Sequence, residues 1–112
     1  MIHLLNSAMM PSLDGTYTIR RISQAEFNSL LRESLAVRKL KNYIGYGDNL
    51  RILREEFGVH LQTSREQAVV TNGDCLLIMK LKYRVRDPGE KAGKARHEIA
   101  DFEFAISTFR AA

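Results

Sequence analysis

Residues 75–87 read CLLIMKLKYRVRD, and the period of that stretch decides the fold. Side chains two apart in a strand share a face. Leu77, Met79, Leu81, Tyr83 and Val85 fall on one parity and make a core-facing row. On the other parity, Leu76 and Ile78 give way to Lys80, Lys82, Arg84 and Arg86. Cations placed this way recur every ~6.5–7 Å, close to the phosphate repeat of a nucleic-acid backbone, so such a row suits a short oligonucleotide. An edge strand that carries Lys and Arg to discourage sheet-to-sheet aggregation shows the same pattern.

The flanks extend this reading. Asn72, Gly73 and Asp74 form a tight-turn signal that predicts a hairpin between the basic strand and a strand at 66–70. Downstream, Pro88, Gly89 and Gly93 interrupt a run with few core-forming side chains, which predicts a flexible basic loop over 85–98. Phe102, Phe104 and Ile106 then alternate with Asp101, Glu103 and Ser107, the signature of a half-buried strand within 100–109.

Toward the N-terminus, residues 1–10 are apolar except for His3, Asn6 and Ser7 and read as a buried strand. Asn6 and Ser7 either serve the backbone at the strand end or point into a ligand site. A turn at 11–15 leads to a second strand at 16–22, expected to form a hairpin with the first. A helix follows over 23–35. Ser23 and Glu26 fit a capping box, Ile22 and Phe27 a hydrophobic staple, and Phe27, Leu30, Leu31 and Leu35 a core stripe.

Arg38, Lys39 and Lys41 make a second, smaller basic cluster. A short strand at 42–44 enters the turn Gly45, Tyr46, Gly47, with Asp48 as N-cap of a helix that Gly58 closes. Free backbone N–H groups and the helix dipole favour an anion at such a turn, although glycines also sit there for steric reasons alone. Together these elements predict an α/β fold in a single domain spanning 1–112. It has one mixed sheet of five or six strands and two main helices packed on one face.

The formal charge is +4, and its distribution is uneven. Residues 80–96 hold seven basic and two acidic side chains, so that segment nets +5 and the rest of the chain −1. A defined positive patch favours an anionic partner. Cys75 is the only cysteine, which excludes an intramolecular disulfide and fits a reducing compartment; it reads as a small buried strand residue. No apolar run reaches the length of a membrane span and no signal-peptide pattern opens the chain, so a cytoplasmic location is expected. CxxC, HExxH and clustered His/Asp sets are absent, as are Walker and GxGxxG loops, so neither a metal nor a cofactor is expected. Without a helix-turn-helix or zinc finger, specific duplex-DNA binding is not expected either.

Several of these pieces occur in the order and spacing of a known family. They are IHLLNSA at 2–8, Tyr43 to Tyr46 opening a helix, Gly58 ending it, Arg65, Gly73 with Asp74, and Arg84 followed by Pro88 and Gly89. The chain resembles the viral ring nucleases, type III anti-CRISPR proteins, and their phage and bacterial relatives. The likeness runs to about Gly89, where a Lys/Arg/Gly loop replaces an acidic helix. The resemblance implies a homodimer whose shared pocket binds cyclic tetra-adenylate, a second messenger of type III CRISPR systems. It also implies metal-independent cleavage through attack of a ribose 2′-hydroxyl on the adjacent phosphorus.

The resemblance assigns roles residue by residue. Asn6 and Ser7 contact the ligand, as do Gly45 and Gly47 through the turn. Arg65 lies near the pocket, and Arg84 holds a phosphate. Lys82 and Arg86 extend the cationic row, and Asp87 lies near the position of a family glutamate. The family's catalytic histidine is Tyr46 here. A phenol titrates near 10 and is a poor proton donor beside an imidazole at neutral pH. The expected function is therefore sequestration of a cyclic oligoadenylate with cleavage weakened or lost. One alternative is an active nuclease using another residue, with His97 ahead of His60, or another cyclic nucleotide. A second is a protein-binding module whose pocket is vestigial.

Overall fold

The computed structural model describes residues 1–45, 47–82 and 97–112. Tyr46, Arg84, Arg86 and Asp87 lie outside the described residues, as do 83–96 in the basic loop. The elements are β1 (Ile2–Leu5), β2 (Gly15–Ile22), α1 (Gln24–Ala36), β3 (Leu40–Asn42), α2 (Gly47–Phe57), β4 (Cys75–Leu81) and β5 (Phe102–Ala111), with a 3-10 turn at Ile99–Asp101. The fold is α/β with a single mixed sheet of five strands, in the order β2-β5-β4-β1-β3. β3, β1 and β4 run parallel, while β4, β5 and β2 are antiparallel.

The basic stretch behaves as its parity requires. Leu77 and Met79 are fully buried among Phe27, Leu31, Leu53 and Phe57 of the two helices, which cover one face. Leu76 and Ile78 face the other way, into a smaller cluster with Leu5, Tyr43 and Ala68. Phe27 centres the helix-covered face, with its ring 4.5 Å from Phe104 and 5.5 Å from Phe57 between centroids. Phe102 and Phe104 belong to this core and Ile106 packs against it, as the alternation predicts.

Both helices start and stop where local chemistry dictates. The Ser23 hydroxyl accepts from the Glu26 amide at 3.1 Å, while the Glu26 carboxylate pairs with Arg20. At the other end Arg38 takes φ of +56°, the left-handed conformation usually left to glycine. α2 ends in an αL motif: the Gly58 amide bonds the Arg54 carbonyl, the Val59 amide bonds the Leu53 carbonyl, and Gly58 has φ of +66°. Arg32 of α1 donates to the Phe57 carbonyl and ties the two helices together.

Four expectations need correction. β2 does not form a hairpin with β1; it pairs along its whole length with β5, from Gly15–Ala111 to Ile22–Phe104. β1 is the inner strand between β3 and β4 and is covered on both faces, which explains why its residues are apolar apart from His3. No strand forms at 66–70. Ala68 and Val70 alternate because their side chains pack on the sheet, not because the backbone pairs. The short strand lies at Leu40–Asn42 instead of 42–44, and Asp48 sits inside the first turn of α2 instead of at its cap.

Candidate functional site

The three parallel strands end side by side, and ligand sites of open α/β sheets lie beyond such carboxyl ends. β1 leaves the sheet after Leu5, which pairs with Ile78, so Asn6 and Ser7 turn out beside the last residues of β4. Both are half-buried. β3 ends at Asn42, whose Oδ1 accepts from the Ile44 amide at 3.0 Å, and whose Nδ2 donates to the Gln62 carbonyl at 2.7 Å. The Ser64 amide donates to the Ile44 carbonyl at 2.9 Å. This strap runs so close to the turn that a Cβ on Gly45 would meet the Ser64 oxygen at 2.9 Å. Arg65, the next residue, is exposed beside it. Among the described residues, a Cβ on Gly47 would meet nothing within 4 Å.

At that turn, Asp48 is already engaged. Its Oδ2 accepts from His97 Nδ1 at 2.7 Å and from the His97 amide at 3.2 Å, and its Oδ1 takes Arg51 at 2.8 Å. Burial pushes the Asp48 carboxyl upward, but the hydrogen bonds from Arg51 and His97 outweigh it and hold the group below its ordinary value. His97 is thus fixed against the N-terminus of α2, next to the turn, with Nδ1 used for positioning. His60 is exposed on the far side of Gly58.

The cations of β4 reach a cleft on the face opposite the helices. It has a volume of about 290 Å³ and an apolar floor of Ile19, Ile78 and Ala105. Ala8, directly after Ser7, forms one wall; Lys80, Arg21 and Glu103 form the rim. Lys82 is exposed and lines an adjoining groove that shares Arg21 and Glu103. Glu103 lies between the cations, with Arg21 at 2.9 Å and Lys80 at 3.1 Å. The hydrogen bond from Lys80, chiefly, holds its carboxyl below the usual range.

The structure therefore gathers two groups of site residues. Asn6 and Ser7 precede Ala8 of the cleft wall and Lys82 lines the adjoining groove; Gly45 and Gly47 flank the turn after β3, with Arg65 next to the strap residue Ser64. Sequence reasoning missed Arg21 and Glu103 because they meet only through the pairing of β2 with β5. It also missed the grip of Asp48 on His97, whose partners are 49 residues apart.

A second polar cluster lies at the opposite ends of β1 and β4. His3 Nε2 meets Asp74 Oδ2 at 2.8 Å, and Thr71 donates to the same oxygen from its amide at 2.9 Å and its hydroxyl at 3.1 Å. Burial raises the Asp74 carboxyl, but these bonds prevail and lower it to about 2. This cluster fixes the Asn72–Gly73 turn that feeds β4, and its role is structural.

A family model described as STIV B116-like matches residues 2–106. The chain belongs to the STIV B116-like family. Among solved structures, B116 of Sulfolobus turreted icosahedral virus shares the fold, with a TM-score of 0.76 at 22% sequence identity. The match covers 95% of this chain and 97% of that one, so this STIV B116-like protein carries the whole of that fold. No curated protein matches the chain by sequence. None of the helices among the described residues is long and apolar enough to cross a membrane.

Proposed function

We propose that this protein binds a cyclic oligonucleotide second messenger, cyclic tetra-adenylate, and counteracts type III CRISPR-type signalling by sequestering it. The observation that carries this reading is the cleft beside Ala8, where an apolar floor suits a base and Lys80 and Arg21 suit a phosphate. Its position beyond Asn6 and Ser7 is the one the ring-nuclease resemblance assigns to the ligand. At about 290 Å³ the cleft is at the small end of ligand pockets. One copy then accommodates a single nucleotide, and a four-membered ring requires the cleft of a second copy. In this reading Arg84 and Arg86 are assigned to phosphate, Asp87 to the position of a family glutamate, Tyr46 to that of the family histidine, and Arg65 to the vicinity of the pocket.

The test is incubation with radiolabelled cyclic tetra-adenylate in the absence of metal. A stable shifted complex without linear products is expected. No shift with any cyclic di-, tri-, tetra- or hexanucleotide would overturn the proposal and favour a protein partner.

One observation favours slow cleavage alongside binding. His97 is held by Asp48 at the first turn of α2. In the cleavage step the ribose 2′-hydroxyl attacks the adjacent phosphorus, the P–O5′ bond to the next nucleotide breaks, and His97 is the residue assigned to protonate the departing 5′-oxygen. On this reading, linear products form slowly, and His97→Ala stops their formation without releasing the ligand.

A further inference from the structure

The two best-placed cations of the cleft already hold an anion. Glu103 Oε2 accepts from Arg21 Nη1 at 2.9 Å, and Oε1 accepts from Lys80 Nζ at 3.1 Å. The three side chains come from three adjacent strands, β2, β5 and β4, so the sheet itself sets the distance between the donors. We propose that Glu103 is a resident stand-in for a phosphate diester: the ligand's phosphate enters by displacing the Glu103 carboxylate from Lys80 and Arg21, and Glu103 thereby sets the affinity of the site.

Three features support the exchange. A carboxylate and a phosphodiester each carry one negative charge on two oxygens of similar bite, so one replaces the other without leaving a cation bare. The cations of the existing pairs are open to solvent, 76% for Arg21 and 43% for Lys80, and pairs of that kind hold weakly. Finally, Lys82 lines the adjoining groove with Arg21 and Glu103, so the patch keeps positive charge beyond what Glu103 neutralises. The ligand's identity rests on the function proposed above; competition between carboxylate and phosphate does not.

Inorganic phosphate alone tests the competition. The wild type, Glu103→Gln and the double variant Lys80→Ala/Glu103→Gln are titrated with it at low salt, following the amide resonances of Leu81 and Phe104. Glu103→Gln should bind about fivefold more tightly than wild type, the effect of removing one nearby negative charge. The double variant should lose that gain. Equal or weaker binding by Glu103→Gln, or a gain that survives without Lys80, would overturn the proposal. A parallel titration with cyclic tetra-adenylate separates the two claims. If Glu103→Gln gains for both ligands, both stand. If the phosphate result holds while no form binds the cyclic nucleotide, the ligand assignment fails and the role of Glu103 remains.

Discussion

The two faces of the sheet divide the labour of this molecule unequally. On the helix-covered face, Leu4, Phe27, Leu31, Leu53, Leu77 and Met79 are sealed from water in one continuous core. On the opposite face, the irregular strap from α2 to β4 covers only the part around Leu5, Leu76 and Ile78. Over β2 and β5 no other described residue closes that face: Ile19 is 55% exposed, and Arg21, Lys80 and Glu103 ring the cleft. Burial of apolar area supplies most of the stability, so the closed face holds the fold together. The open face is then free to carry charge without endangering it.

The largest expected effect tests the closed face. Phe27→Ala removes the ring between Phe57 and Phe104 and should cost about 3–5 kcal/mol in denaturant unfolding. A loss below 1 kcal/mol would show that the core does not depend on this contact.

Next in size is Asp74, on the covered part of the other face. Its folded carboxyl lies at about 2, below the ordinary 3.8. The stability it contributes is therefore complete above roughly pH 4 and disappears as the pH falls through about 2. Asp74→Asn should lower the melting temperature at pH 7, with the gap to wild type closing toward pH 2. A gap that stayed constant across that window would remove the His3–Asp74–Thr71 cluster as its source.

Lys80→Ala should do the reverse of Phe27→Ala. It should weaken cyclic tetra-adenylate binding about tenfold through loss of a charged hydrogen bond, while unfolding changes little because the pair is only partly buried. Comparable losses in both measurements would erase the contrast between the faces. The smallest effect is a gain. Arg38 adopts positive φ at the end of α1, and Arg38→Gly should stabilise the chain by up to about 1 kcal/mol in thermal unfolding. An unchanged melting temperature would show that the Arg38 side chain compensates the strain.

What the sequence discloses, and what it hides, follows from the range of each interaction. The limits of α1 and the end of α2 were legible because Ser23, Gly58 and the 3.6-residue stripes act within a few positions. The faces of β4 and β5 were legible because parity is local. Strand partners were not. An eight-residue alternating run such as β2 states that one side is wet, and says nothing of whether its neighbour is β1 or β5. The apolar run of β1 did signal an inner strand, yet the adjacent turn chemistry at 11–15 suggested a hairpin. At 66–70 the pattern recorded burial without hydrogen bonding. The cleft was half legible: the basic parity of β4 pointed to Lys80 and Lys82, while Arg21 and Glu103 required knowledge of the pairing. The aspartate at 48 read as a cap, and its actual partner, His97, lies beyond the reach of any local rule.

The union of β2 with β5 has a consequence for how the chain is made. Residue 15 must wait for residue 111 before it finds its neighbour, so during synthesis an eight-residue ribbon emerges early and stays unmatched until β5 has been translated. Contacts that distant in sequence form slowly, and unpaired ribbons are prone to stick to one another. Arg20 and Arg21 near the end of that ribbon put like charges on every waiting copy, which discourages nascent chains from associating before β5 arrives.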